Sequence, residues 1–316
     1  MTLHFGVVMD PISTIRVAKD STFAMLLAAQ ARGWKIAYFE PKDLWSRDGL
    51  VYGVARSLVV RDDPNDWYSF SDTTEVLLSQ LDVILMRKDP PFNMEYIYVT
   101  YLLELAEAKG AFVVNRPSSL RDANEKLFTA WFPECCPPTL VTRKVEQAKK
   151  FLAEQADIIV KPLDGMGGTS VFRLRLGDPN VNVVLETLSH LDQRYFMAQK
   201  YIPEVVEGDK RIILIDGIPV PYALARIPAV GETRANLAVG GKGIGKPLSP
   251  RDYWICDQIG PELRCRGLSF VGLDVIGSWC TEINVTSPTG IRELDALYGL
   301  NIAGQFLDYL QSAYSV

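Results

Sequence analysis

The sequence predicts an N-terminal α/β domain built on a parallel sheet, followed by an α+β domain with much antiparallel sheet. Three observations carry this. Residues 3–39 read as apolar strand, helix and apolar strand, a βαβ unit. From about residue 120 the texture changes to helices and then to strands joined by short polar turns. Within that second part, Asp216-Gly217 stands between two apolar runs, a strong two-residue hairpin signal.

Taken in order, "LHFGVVM" (3–9) predicts a buried strand that ends at Asp10-Pro11. "STFAMLLAAQAR" (21–32) predicts a helix, with Asp20 or Ser21 as N-cap and Gly33 just past its end. "WKIAYFE" is the next strand; "LDVILMRK" (81–88), a helix near 95–109 and "AFVVN" (111–115) continue the pattern. "SLRDANEKLFTAWF" (119–132) and "VEQAKKFLAEQ" (145–155) predict two helices. Strands follow in "DIIVKPL", "SVFRLRL", "YFMAQKYI" and the hairpin "KRIILIDGIPVPYALARI". "FVGLDVIGSWCTEINVT" predicts a last strand pair, and a C-terminal helix lies near 300–313.

The 316 residues suit about two domains, and 48% hydrophobic with 22% charged residues is a globular composition. A net charge of −5 without a basic cluster argues against a nucleic-acid partner. The absence of a signal-like start and of any apolar run of spanning length predicts no membrane role and a cytoplasmic location. Five cysteines without a C-x-x-C pair point to reduced thiols, and His4 and His190 sit in no triad-like or metal-like arrangement.

Four features carry chemistry. In "KPLDGMGGTS" (161–170) Lys161 precedes the glycines, so this is no Walker loop. Gly165, Gly167 and Gly168 allow close backbone approach to an anion, or merely a flexible connection. "DVIGSWCTEIN" (274–284) offers Asp274, Glu282 and Asn284; the last two share a strand face, and all three are oxygen ligands of the type magnesium takes. A half-exposed, solvated sheet face is the alternative. With a two-residue turn, Arg211 faces Tyr222, and Arg226 shares its face. Two such arginines need an anionic partner: a bound phosphate or carboxylate, or the protein's own Glu207 or Asp209. Residues 228–248, with Arg234 and Lys242, read either as a basic lid or as a plain insertion.

The segments "MDPI" (9–12), "KDSTFAML" (19–26), "DVILMRKDPPF" (82–92), "NEKLFTAWF" (124–132), "KPLDGMGG" (161–168), "EGDKRI" (207–212), "ARIP" (225–228), "GETRANLAVGG" (231–241) and "TEINVTSPTGIRE" (281–293) resemble, in order, the ATP-grasp superfamily and within it the bacterial glutathione synthetases. The resemblance implies a Rossmann-like pre-ATP-grasp domain (1–122) before an ATP-grasp domain (123–316) of two α+β subdomains. These would be 123–202, with the glycine-rich loop 164–169, and 203–316, with the lid 228–248. The reaction it implies is ATP-dependent ligation of γ-glutamylcysteine and glycine through an acyl phosphate, releasing ADP and phosphate.

The resemblance also implies roles. Lys126 and Lys161 would contact ATP phosphates, with Gly165, Met166, Gly167 and Gly168 covering them. Gln199, Lys200, Tyr201 and Ile202 would hold the adenine, and Asp209 would lie near the ribose. Asp274, Glu282 and Asn284 would hold Mg2+, with Mn2+ as an alternative. Arg211 and Arg226 would stabilise the transferring phosphoryl group. Asp10, Ser13, Arg87, Arg234 and Arg292 would face the peptide, in a homotetramer. The rival readings are another ATP-grasp carboxylate–amine ligase and a non-catalytic nucleotide-binding regulator.

Overall fold

The computed structural model describes residues 2–228 and 242–314. Strand β1 (His4–Met9) pairs in parallel with β2 (Lys35–Phe39) through helix α1 (Ser21–Ala31). Helix α1 begins where its cap predicts: the Asp20 carboxylate accepts the Phe23 N–H at 2.6 Å. The chain then makes a meander of β3 (Leu44–Arg47), β4 (Leu50–Val60) and β5 (Tyr68–Leu77), which sequence reading passed over. The polar, largely exposed "SDTTE" run in β5 hides the strand, because solvent on that surface leaves no apolar alternation to read. Strand β6 (Val83–Arg87), helix α2 (Met94–Glu107) and β7 (Phe112–Val114) complete a sheet of order β3-β4-β2-β1-β6-β7, with β5 paired to β4.

The single helix expected over 119–132 is broken. It divides into α3 (Pro117–Asp122) and a 3-10 turn at Leu127–Trp131. The Asn124 side chain ends the helix by accepting the N–H groups of Lys126 (3.2 Å) and Leu127 (2.9 Å). This interruption turns Glu125 toward the C-terminal half, where it accepts from Val285 N, Thr286 N and Thr286 Oγ1 at 2.8–3.1 Å.

A four-stranded antiparallel sheet follows: β8 (Thr139–Thr142), β9 (Asp157–Pro162), β10 (Phe172–Arg175) and β11 (Phe196–Lys200), in the order β10-β9-β11-β8. Helices α4 (Val145–Gln155) and α5 (Val181–Ser189) pack against it. The five-stranded sheet has the order β14-β13-β12-β15-β16, from β12 (Asp209–Ile215), β13 (Ile218–Ile227), β14 (Lys242–Pro247), β15 (Phe270–Ile276) and β16 (Trp279–Asn284). Its helices are α6 (Pro250–Cys265) and α7 (Ile291–Tyr298).

Strand β14 corrects the expected lid. Residues 242–247 are paired along β13, and Gly245 lies so close to Tyr298 that a Cβ there would come within 2.4 Å of the ring. Residues 229–241, including Arg234, lie outside the described residues. The last helix, α8 (Ile302–Tyr314), returns to pack on α1. There Arg32 donates to Gly304 O at 2.9 Å, and Phe306 shares a buried cluster with Phe5 and Phe23. Among the described residues no helix is long and apolar enough to cross a membrane.

Candidate active site

The hairpin β12–β13 aims its two arginines at one carboxylate. Ile215 faces Ile218 as the turn predicts, but a bulge between Ile212 and Leu214 shifts the register, so Arg211 opposes Leu224 and not Tyr222. Arg226 opposes Asp209, two residues beyond Leu224, and stays on the same face. Arg211 meets Asp274 through Nε (2.6 Å) and Nη2 (3.2 Å), while Arg226 reaches Asp274 at 2.9 Å and Asp209 at 2.5 Å. All four side chains are buried. The protein's own partners for the arginines are therefore Asp209 and Asp274; no contact to Glu207 is needed.

These pairings split the two acids electrostatically. Burial works against ionisation of Asp274, yet Arg211 and Arg226 hold its carboxyl well below the usual carboxylate range. Burial dominates at Asp209, which has one arginine and the negative Asp274 beside it, and pushes its carboxyl up to about 6. Its Oδ1 is buried without a hydrogen-bond partner among the described residues, and Asp209 lines a cavity. Burial also opposes the charge on Arg226, but Asp209 and Asp274 keep its pKa raised.

Across β15–β16, Asp274 directly opposes Glu282, and Gly272 opposes Asn284. Glu282 accepts from Lys161 at 3.0 Å and lies 3.7 Å from Lys126. Although burial opposes it, the two lysines lower the Glu282 pKa. Lys126 also donates to Gly165 O at 2.6 Å, tying the glycine loop to the site. Among the described residues no three His, Cys, Asp or Glu cluster as a ready metal cage. The set is instead two carboxylates and one carboxamide, whose Nδ2 donates to Gly272 O at 3.2 Å and leaves Oδ1 as an acceptor. Such hard, incomplete oxygen sets suit a magnesium ion that also takes phosphate oxygens, so the residues fit.

Two adjoining cavities meet at these groups. The first, about 130 Å³, has Lys126, Lys161 and the 165–168 loop at its wall, with Gln199, Lys200, Tyr201, Ile202, Asp209 and the apolar Ile159, Val171, Val205 and Ile276. The second, about 250 Å³, is lined by Arg211, Arg226, Asn284, Glu125, Asp89, Thr286 and Ser287. Lys126, Gly165, Met166, Gly167, Asp274 and Glu282 line both.

The N-terminal candidates are placed differently. None of Asp10, Ser13, Arg87 and Arg292 lines either cavity. Arg87 is buried and donates to Thr22 Oγ1 (3.0 Å) and Pro288 O (2.9 Å); burial lowers its pKa. Asp10 pairs with Lys88 at 2.9 Å and accepts Asp89 N at 2.9 Å, Ser13 is exposed, and Arg292 pairs with Asp62 at 2.8 Å. Sequence reasoning missed Glu125, Asp89, Thr286 and Ser287. The first two stood inside "NEKLF" and "RKDPPF", but a residue read as part of a helix or a strand end gives no sign that it turns inward.

Comparison with known proteins now bears on this geometry. Residues 3–121 match the family model of the prokaryotic glutathione synthetase N-terminal domain, and residues 125–299 that of the prokaryotic glutathione synthetase ATP-grasp domain. The glutathione synthetase of Coxiella burnetii is 56% identical over 315 residues, covering 100% of this chain and 98% of that protein. That of Pseudomonas aeruginosa is 57% identical, covering 98% and 97%. Among solved structures, D-cycloserine synthetase DcsG has a TM-score of 0.69 at 13% identity, covering 99% of each chain. D-alanyl-alanine synthetase A from Vibrio cholerae has 0.60 at 10%, covering 100% of each, so both share the ATP-grasp fold. The chain belongs to the prokaryotic glutathione synthetase family and is an ATP-dependent, ADP-forming ligase that makes glutathione.

Proposed function

We propose that the two adjoining cavities are the two halves of this ligase's active site, with ATP in the first and the carboxylate of γ-glutamylcysteine in the second. The observation that carries this reading is their shared wall, where the Lys126 ammonium stands beside Glu282 and Asp274 faces Glu282 across the strand pair. The apolar end of the first cavity suits a purine, and its lysine-rich end suits phosphates. Asp209 Oδ1, without a partner among the described residues, suits a ribose hydroxyl.

In this reading the γ-phosphoryl group passes from ATP to the peptide carboxylate, giving ADP and an acyl phosphate. The amine of glycine then attacks the acyl carbon, and phosphate leaves as the amide forms. Lys126 and Lys161 from one side, and Arg211 and Arg226 from the other, neutralise charge that spreads over the transferring oxygens. Asp274, Glu282 and Asn284 would hold Mg2+, or Mn2+ in its place, which supplies further neutralisation of the phosphate oxygens when bound. Asp10, Ser13, Arg87, Arg234 and Arg292 are assigned to the peptide side, and the domain boundary to residue 122. A homotetramer in the cytoplasm completes the reading, supported by the exposed apolar stripe of Met94, Tyr98, Tyr101 and Leu105 along α2.

The test is magnesium-dependent ADP release, with γ-glutamylcysteine and glycine added singly and then together. Release matched by glutathione only with both is the expected result. Release with a different acid–amine pair would overturn the substrates and keep the site.

A further inference from the structure

Tyr201 lines the first cavity, and one residue outside that cavity holds it twice. The Tyr201 N–H donates to Asp157 O at 3.0 Å. The carboxylate of the same Asp157 grips Arg173: Nε donates at 2.9 and 3.2 Å, and Nη2 at 2.6 Å. The Arg173 guanidinium in turn lies over the Tyr201 ring, its Cζ 3.4 Å from the centroid. The result is a closed circuit from backbone to ring. Arg173 opposes Ile159 across β9–β10, and Ile159 itself lines the cavity that Arg173 does not touch.

We propose that Arg173 is a positioning residue for the nucleotide, acting through Tyr201: the Asp157-anchored guanidinium fixes the ring, and with it the 199–202 edge that receives the purine. This inference rests on the placement of ATP in the first cavity. A planar guanidinium stacked on an aromatic face restrains the ring in a way a lysine ammonium cannot, because only the fork can bind the carboxylate and stack together. Lys126 and Lys161, assigned to the phosphates, take no part in this circuit, so the effect falls on binding of the base and leaves the phosphoryl chemistry in place.

The test is steady-state kinetics with ATP varied. Arg173→Ala is expected to raise KM for ATP about tenfold, well beyond any change in kcat. Arg173→Lys recovers little of this, since it keeps the charge and loses the stack. In a Tyr201→Leu background, Arg173→Ala is expected to add no further rise; a full additional rise there would overturn the inference. Thermal melting of each variant removes any that are unfolded, and Arg173→Lys then carries the comparison. Lys161→Ala separates the two ideas. If it leaves KM for ATP unchanged, the nucleotide placement fails; if it raises KM while Arg173→Ala does not, only the positioning role fails.

Discussion

The four-stranded and five-stranded sheets both line the nucleotide cavity, yet they are built on opposite physical plans. The four-stranded sheet offers Ile159, Gln199 and Tyr201, with its cavity charges, Lys161 and Lys200, at or near strand ends. The five-stranded sheet buries Asp209, Arg211, Arg226 and Asp274 together on adjacent strands, each charge already paired. The first plan binds by shape and apolar contact. The second holds charge in place before substrate arrives, so little reorganisation is left for the reaction. The difference predicts that damage to the second sheet appears in kcat and damage to the first in KM.

Arg226→Ala gives the largest effect: turnover falls about 100-fold or more, with KM for ATP changed less. The cause is twofold, since it removes a cation from the transferring group and leaves Asp209 unpaired. A turnover near that of the parent would break the comparison. Lys161→Ala comes next, with KM for ATP raised about 10- to 100-fold, because Glu282 loses its nearest cation and the phosphates lose theirs. If kcat fell instead and KM for ATP stayed put, the placement of the nucleotide in the first cavity would fail.

Gly272→Ala sharpens the contrast without replacing a charged group. A Cβ at Gly272 would stand 2.8 Å from Arg211 Cδ and 2.9 Å from Pro288, so the arginine stem must move. The expected result is about a tenfold loss of kcat at near-normal KM for ATP.

The smallest effect is a pH trend in stability. The folded pKa of Asp209, about 6, lies above its ordinary value of 3.8. Its contribution to stability is therefore complete below the ordinary value and lost as pH rises through 6. The difference in Tm, parent minus Asp209→Asn, should fall by roughly a few degrees between pH 4 and pH 7. A flat or rising difference would show that Arg226 dominates over burial at this carboxyl.

Local pattern in the chain was enough for the βαβ start, the Asp20 cap, the Asp216-Gly217 hairpin and the facing of Glu282 and Asn284, because each depends on neighbours within a few residues. It was also enough to place Arg211 and Arg226 on one face. Their shared acid was not legible, since Asp274 lies 63 positions from Arg211 and becomes its neighbour only through β12–β15 pairing. The docking of Glu125 on Val285 and Thr286 and the Asp157–Arg173–Tyr201 circuit share that reason. Sequence alone determined which residue types were available and which face of an element they occupy. Tertiary structure decided which charges meet, because desolvated pairing depends on strand neighbours brought together from distant parts of the chain.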